Sequence, residues 1–215
     1  MTKNALILAT DIIEQAQHSG RRAGTSLEAI ASEQGDETML AVLTEMDILT
    51  VAKIVREHDA TIPSIATWLM DAESIKQLLN VEPSYWQNMD EDHVFCAQTE
   101  AHSLLTQIFL SSDDEEKQLD VLNAIVEDDF GLLYLSLPFI GHDFSEIEED
   151  EEQTSGSIEE LLMKIKTLNE EAYREVMTVS TNGTLENVEN ALKQNANKQR
   201  VTAVEMDTDD MFAPL

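Results

Sequence analysis

Between Asp36 and Val126 the chain repeats one unit: an Asp, Ser or Thr opens a short stretch with two to four aliphatic residues at helical spacing. A unit of this kind closes its own backbone hydrogen bonds. The small polar residue accepts from one of the N–H groups that a first helical turn leaves over, and the aliphatics supply one buried stripe. A chain built this way is expected to be all-α, as stacked short helices. Seven Gly and four Pro in 215 residues are too few for the many tight turns of a β-rich protein of this length.

The predicted boundaries follow the caps. Thr2 to Gln17 forms a first helix, ended by Gly20-Arg21-Arg22-Ala23-Gly24. Thr25 with Glu28 makes a capping box for a helix through Ser32, Gly35 breaks it, and Asp36 caps the next, from Glu37 to Met46. Asp47 caps Ile48 to Glu57, Thr61 with Pro63 opens a helix to Met70, and Asp71 opens Ala72 to Leu79. After the Glu82-Pro83-Ser84 turn comes a long helix from Asp90 to Leu110, and Ser112 caps Asp113 to Val126. Phe130 to Phe139 reads as a buried helix, with a strand as the competing reading of so short an apolar run.

Residues 1–140 are expected to be the helical core and 141–156 an acidic linker. Residues 157–199 form an antiparallel helical pair, and 200–215 a flexible acidic tail. Ser157 caps the first helix of the pair, which carries Ile158, Leu161, Leu162, Ile165, Leu168, Ala172 and Val176. The second, after the Thr181-Asn182-Gly183 turn, carries Leu185, Val188, Ala191, Leu192 and Ala196.

The charge is unevenly placed. Of a formal net charge of −30, most sits between Gln77 and Met163, where 22 Asp/Glu face one basic residue, Lys117. Such a field repels phosphates and anionic lipid, so direct nucleic-acid binding is not expected. The longest apolar run, Phe130 to Ile140, is about half of the ~20 residues that span a membrane, and the N-terminal run Ala5 to Ala9 is too short for a signal peptide. Cys96 stands alone, which agrees with a reducing, cytoplasmic setting. The partner this composition fits is a basic or amphipathic protein.

The helix rhythm of Glu37–Met46, Ile48–Glu57, Ile65–Met70 and Ser74–Leu79 resembles the acidic helical-hairpin repeats of magnesium-transporter N-terminal domains and of flagellar motor switch proteins. The stretch Leu69 to Leu79, followed by Tyr85-Trp86, is also similar to an uncharacterised family of acidic bacterial helical proteins. In that family an acidic tract follows a hydrophobic helix, as Glu146 to Glu152 follows Phe130–Ile140 here. These resemblances imply a fold and no activity.

No phosphate-binding glycine loop, nucleophile elbow or paired-cysteine zinc pattern occurs in the chain, and no cofactor is expected. His93, Cys96 and Glu100 share one helical face and are the weak metal candidates; a buried thiol and a solvated His on an amphipathic helix are the plainer account, because structural zinc needs four ligands. His58-Asp59 and His142-Asp143 would serve a metal-dependent hydrolase only if the two pairs converged. Arg21-Arg22 is read as tying the N-terminal helices to carboxylates.

The candidate partner-binding residues are Tyr85 and Trp86 as anchors, Glu148, Glu149, Asp150, Glu151 and Glu152 as the charged run, and Met211 and Phe212 in the tail. The sequence Val204 to Leu215 resembles the acidic, Phe-containing tips of bacterial single-stranded-DNA-binding proteins, which implies docking into a basic-rimmed pocket. The function expected is a non-enzymatic interaction module. A nucleic-acid-mimicking inhibitor and a metal-dependent hydrolase stay open as alternatives, and oligomeric state is not legible.

Overall fold

A computed structural model describes residues 2–57, 67, 69–81, 93–144, 157–184, 186–195 and 198, and these are mostly helical, with no strand among them. The elements are α1 (Thr2–His18), α2 (Gly20–Gln34), α3 (Asp36–Thr44), α4 (Ile48–Glu57), α5 (Ala72–Val81), α6 (His93–Phe109), α7 (Glu115–Val126) and α8 (Asp129–Ser136). A 3₁₀ turn (Leu137–Phe139) continues α8, followed by α9 (Ile158–Leu168), α10 (Glu170–Asn182) and α11 over residues 186–195. No described helix is long and apolar enough to cross a membrane.

Several caps act as the sequence predicts. The Asp47 carboxylate accepts from Thr50 N at 2.9 Å, Asp71 from Ser74 N at 2.8 Å, and the Ser157 hydroxyl from Glu160 N at 3.1 Å. Others shift. Asp114, rather than Ser112, caps α7 by accepting from Lys117 N at 3.1 Å, while the Ser112 hydroxyl accepts from Asp114 N. Gly35, at φ +89°, is the residue between α2 and α3, so Asp36 is the first helical residue and not the cap.

The start of α2 is the main correction in the first domain. Gly20 to Gly24 does not end a helix; Ser19 caps α2, and these residues are its first turn. Thr25 accordingly lies inside the helix, its hydroxyl donating back to Arg21 O at 3.2 Å. A Cβ on Gly20 would sit 2.6 Å from Lys53 O, so glycine is what lets α2 start against the backbone of α4. Small residues continue this close approach, since α2 buries Gly20, Ala23 and Gly24 before Leu27 and Ile30. Helices α1, α3 and α4 all pack on it.

Helix α4 leads to α5, which packs on α7 and α8; α6 lies against the 3₁₀ turn, and α10 against α8. Asn169 interrupts the helix expected to run on to Val176. Its side-chain oxygen accepts from Glu171 N and Ala172 N at 2.9 and 3.2 Å to start α10, and its amide donates to Asn123 of α7 at 2.9 Å. The α9–α10 pair is not a unit apart from the core. Leu161, Leu162, Ile165 and Val176 belong to the same buried cluster as Leu105, Leu122 and Tyr134, and α9 packs on both α6 and α7. The helix expected over Thr61–Met70, the tract 145–156 and the tail 201–215 fall wholly or largely outside the described residues.

Candidate functional site

The apolar run from Phe130 to Ile140 ends in a fixed turn. The Gln98 side-chain amide of α6 donates to the carbonyls of both Leu137, at 3.0 Å, and Ile140, at 2.7 Å. Gly141, at φ +82°, then reverses the chain, and His142 N donates to Phe139 O at 3.2 Å. The reversal folds Phe144 back, its ring centroid 6.2 Å from that of Phe139 and 5.6 Å from that of His142, nearly parallel to the latter at 28°. Geometry of this kind favours aromatic contact.

The facing wall is the C-terminal end of α10, with Met177, Ser180, Thr181 and Gly183. Gly183 N donates to Val179 O at 2.7 Å, and a Cβ there would meet Val179 O at 2.8 Å and Ile140 Cδ1 at 3.3 Å. Glycine therefore lets the chain leave α10 against the turn. Between the two walls lies a cleft of about 390 Å³ with Phe139, Phe144 and Met177 as its apolar lining, in the usual range of ligand-sized pockets of about 300–1,000 Å³.

Asp143 is exposed at the rim of the cleft, and α10 ends with no basic residue in its last turn to offset the partial negative charge of its terminal carbonyls. Nearby, a hydrogen bond from its own backbone N–H holds the Glu159 carboxyl below the ordinary carboxylate value; the Ser157 hydroxyl and the imidazoles of His142 and His102 act the same way, against desolvation.

Carboxylates also cover the outer face of α7. Glu116, Asp120 and Glu127 project opposite the buried stripe of Gln118, Val121, Leu122 and Ile125, and Asp113, Asp114 and Asp129 are exposed at its two ends. Lys117, the lone base of this stretch, is half-buried; burial pushes its pKa down, and Asp114 and Asp71 draw it back up.

Of the predicted site residues, Tyr85, Trp86, Glu148, Glu149, Asp150, Glu151, Glu152, Met211 and Phe212 lie outside the described residues, as do His58 and Asp59. His142 and Asp143 line the cleft. Cys96 is half-buried, and Glu100 faces Arg56 of α4 at 3.8 Å, an ion pair that joins the two halves of the molecule. Among the described residues no three His, Cys, Asp or Glu side chains converge as metal ligands. The Glu57 carboxylate accepts from the backbone N–H groups of Gly20, at 2.6 Å, and of Arg21, at 3.3 Å, at the start of α2, where both arginines are exposed.

The sequence reading missed Phe144, Met177, Thr181 and Gly183. The available signal was a lone aromatic, Phe144, three residues after the glycine that closes an apolar run. It missed too that Leu6, Ile7, Leu40 and Leu49, all in α1, α3 and α4, are exposed.

Comparison with known proteins divides the chain between α4 and α5. Residues 1–69 match the AtcB N-terminal domain and residues 72–207 the AtcB C-terminal domain. Adaptation to cold protein B of Shewanella oneidensis is 34% identical over 158 residues, which cover 69% of this chain and 63% of that protein. The alignment thus spans less than two thirds of the relative's length. No solved structure matches.

Proposed function

The chain belongs to the AtcB family, its two domains matched in order, and on that premise we propose that it is a non-enzymatic helical interaction module whose second domain binds a basic or amphipathic protein in the cytoplasm. The observation that carries this is the placement of charge. Residues 1–69 hold 10 acids and 5 bases, whereas residues 72–207 hold 30 acids and 8 bases. In the second group the carboxylates of α7 form one solvent face over a rigid helical core. A face of this sign steers a cationic partner into encounter, and the core behind it holds the contact surface in place. The relative is named for adaptation to cold, and a part in low-temperature physiology is proposed for this chain with it. The physics is compatible: apolar association weakens on cooling, whereas charge-steered encounter does not depend on it.

The test is to isolate the partner from the native host and measure purified association at low and high ionic strength. Replacing Glu116, Asp120 and Glu127 by Gln, or neutralising Glu148 to Glu152, should slow association and flatten its salt dependence while leaving dissociation nearly unchanged. An on-rate indifferent to salt and to both sets of substitutions would overturn the reading.

A further inference from the structure

We infer that the outer face of α1 docks a cationic amphipathic helix of another protein, with Leu6 and Ile7 as the apolar contacts and Asp11 and Glu14 facing its Lys or Arg residues. The inference concerns the first domain and does not rest on the acidic face of α7.

Ala5 to Ala9 is a continuous apolar run inside a helix. Successive helical residues turn by about 100°, so five in a row encircle α1, and a helix that is apolar all round is normally covered on every side. Helix α1 is covered on one. Ala5 and Ala9 are buried in the core, whereas Leu6 is 53% and Ile7 56% exposed. Helix α3, which packs on α1, repeats the arrangement: Met39 to Leu43 is again apolar throughout, and Leu40 is exposed. The described residues of the second domain, by contrast, expose no large hydrophobic side chain. Uncovered apolar surface is therefore a property of the first domain, and its two most exposed members are neighbours on one helix.

Charge selects the occupant. Asp11 follows Ile7 by four residues and Glu14 by seven, which sets both carboxylates in one row with it along α1. Both are exposed, and neither meets a cation or a hydrogen-bond donor among the described residues. The bases of this domain lie elsewhere. Lys53 donates to Gln17 O at 3.2 Å, Arg56 faces Glu100, and Arg21 and Arg22 stand at the start of α2. Lys3 is eight residues before Asp11, about 12 Å along the helix axis. On α3, Asp36 and Glu37 are likewise exposed one turn from Leu40.

An apolar pair with free carboxylates one to two turns along is complementary to a helix that carries two aliphatic residues and, at the same spacing, Lys or Arg. An anionic lipid surface is repelled by those carboxylates. The chain's own tail, with Glu205, Asp207, Asp209 and Asp210, fails for the same reason, and a second copy adds its own charge of −30 to that of the first.

The experiment titrates the full ¹⁵N-labelled chain with three synthetic helical peptides. One carries a Leu pair with a Lys pair one turn along, the second has Glu for Lys, and the third keeps Lys but has Gln for Leu. The first should shift the amides of residues 5–14 before any others. The Glu peptide should leave them unmoved, and the Gln peptide should show no preference for α1 over the acidic faces. Leu6→Gln combined with Ile7→Gln, at exposed positions, should weaken the first peptide about tenfold with thermal unfolding unchanged. Asp11→Asn combined with Glu14→Gln should weaken it less and flatten its salt dependence.

Shifts of the first peptide centred away from α1, or full affinity in either double variant, would overturn the α1 site and leave the reading of the second domain standing. Self-association lost in the Leu6 and Ile7 variant would overturn it in favour of a second copy. Adsorption to phosphatidylglycerol vesicles lost in the same variant would overturn it in favour of a lipid surface.

Discussion

The side-chain amide of Asn195 donates to the backbone carbonyl of Asn80 at 2.7 Å, across 115 residues of sequence. Asn195 is 8% exposed, and through it the last described helix, α11, is fastened to the C-terminal end of α5, near the start of the second domain. Without the bond, the Asn80 carbonyl would be left without this donor in a part-buried place.

Asn195→Ala should therefore cost about 1–2 kcal/mol, the usual loss for a buried hydrogen bond whose partner stays behind. Urea unfolding would show a lower midpoint with the slope unchanged. Amide exchange should quicken most over residues 186–195, since α11 buries little else than Val188 and Leu192. A loss spread evenly over both domains would count against the fastening role.

Two glycines separate close packing from chain reversal. Gly20→Ala drives a Cβ to within 2.6 Å of Lys53 O and should cost about 2–4 kcal/mol, because neither backbone can yield without moving a helix. Gly35 has open space around it but sits at φ +89°, ψ 162°, a conformation that essentially only glycine adopts, so Gly35→Ala should cost about 1–3 kcal/mol of backbone strain alone. If Gly20 were a chain-terminating turn, as its neighbourhood in the sequence suggests, the order would be reversed. Thermal unfolding of both variants settles it.

These positions also show what the sequence carried and what it withheld. Asp47, Asp71 and Ser157 were legible because an N-cap is a local device, decided within three residues of its own helix. Gly20 was misread because its reason lies at Lys53, on another helix, and no local pattern reports so distant a close approach. Asn169 was missed for a like reason: in the middle of an amphipathic stretch it passes for a helical residue, until its amide is seen to reach Asn123. The cleft is harder still. Phe139 and Phe144 lie five residues apart, but Met177 and Thr181 arrive from a later helix, and only the packing of α10 on α8 brings them opposite.

Asp71 gives a pH test with a definite sign. Its bonds from Ser74 hold its pKa below the ordinary carboxylate value, so the folded state binds the proton less readily than the unfolded chain. Stability from this source is complete above the unfolded carboxylate range and is lost as pH falls through the depressed folded value. Asp71→Ala should cost about 1 kcal/mol at neutral pH, as for other N-caps. The difference from wild type should shrink as acid protonates Asp71 in the wild type too. A difference constant down to low pH would mean that the charge on the cap contributes nothing.

The last prediction concerns the field as a whole. With a net charge of −30, the folded chain gathers carboxylates that the unfolded chain holds farther apart, and their repulsion opposes compaction. The ion pairs Arg174–Glu170 and Lys193–Glu189 are solvent-exposed i,i+4 contacts and Lys164–Glu115 is partly exposed, so salt has little stabilisation to remove from them. Raising ionic strength from about 0.01 M to about 0.15 M shortens the screening length from about 30 Å to about 8 Å and so weakens repulsion between exposed carboxylates. The melting temperature should rise with salt over that interval by roughly 2–4 °C, equivalent to about 1 kcal/mol for a chain of this size. Replacing Glu116, Asp120 and Glu127 by Gln should raise it at low salt and reduce the further gain. A melting temperature that falls with added sodium chloride would show instead that attractive pairs dominate the folded state. The acidic face would then be a stabilising network and not a surface held in wait for a partner.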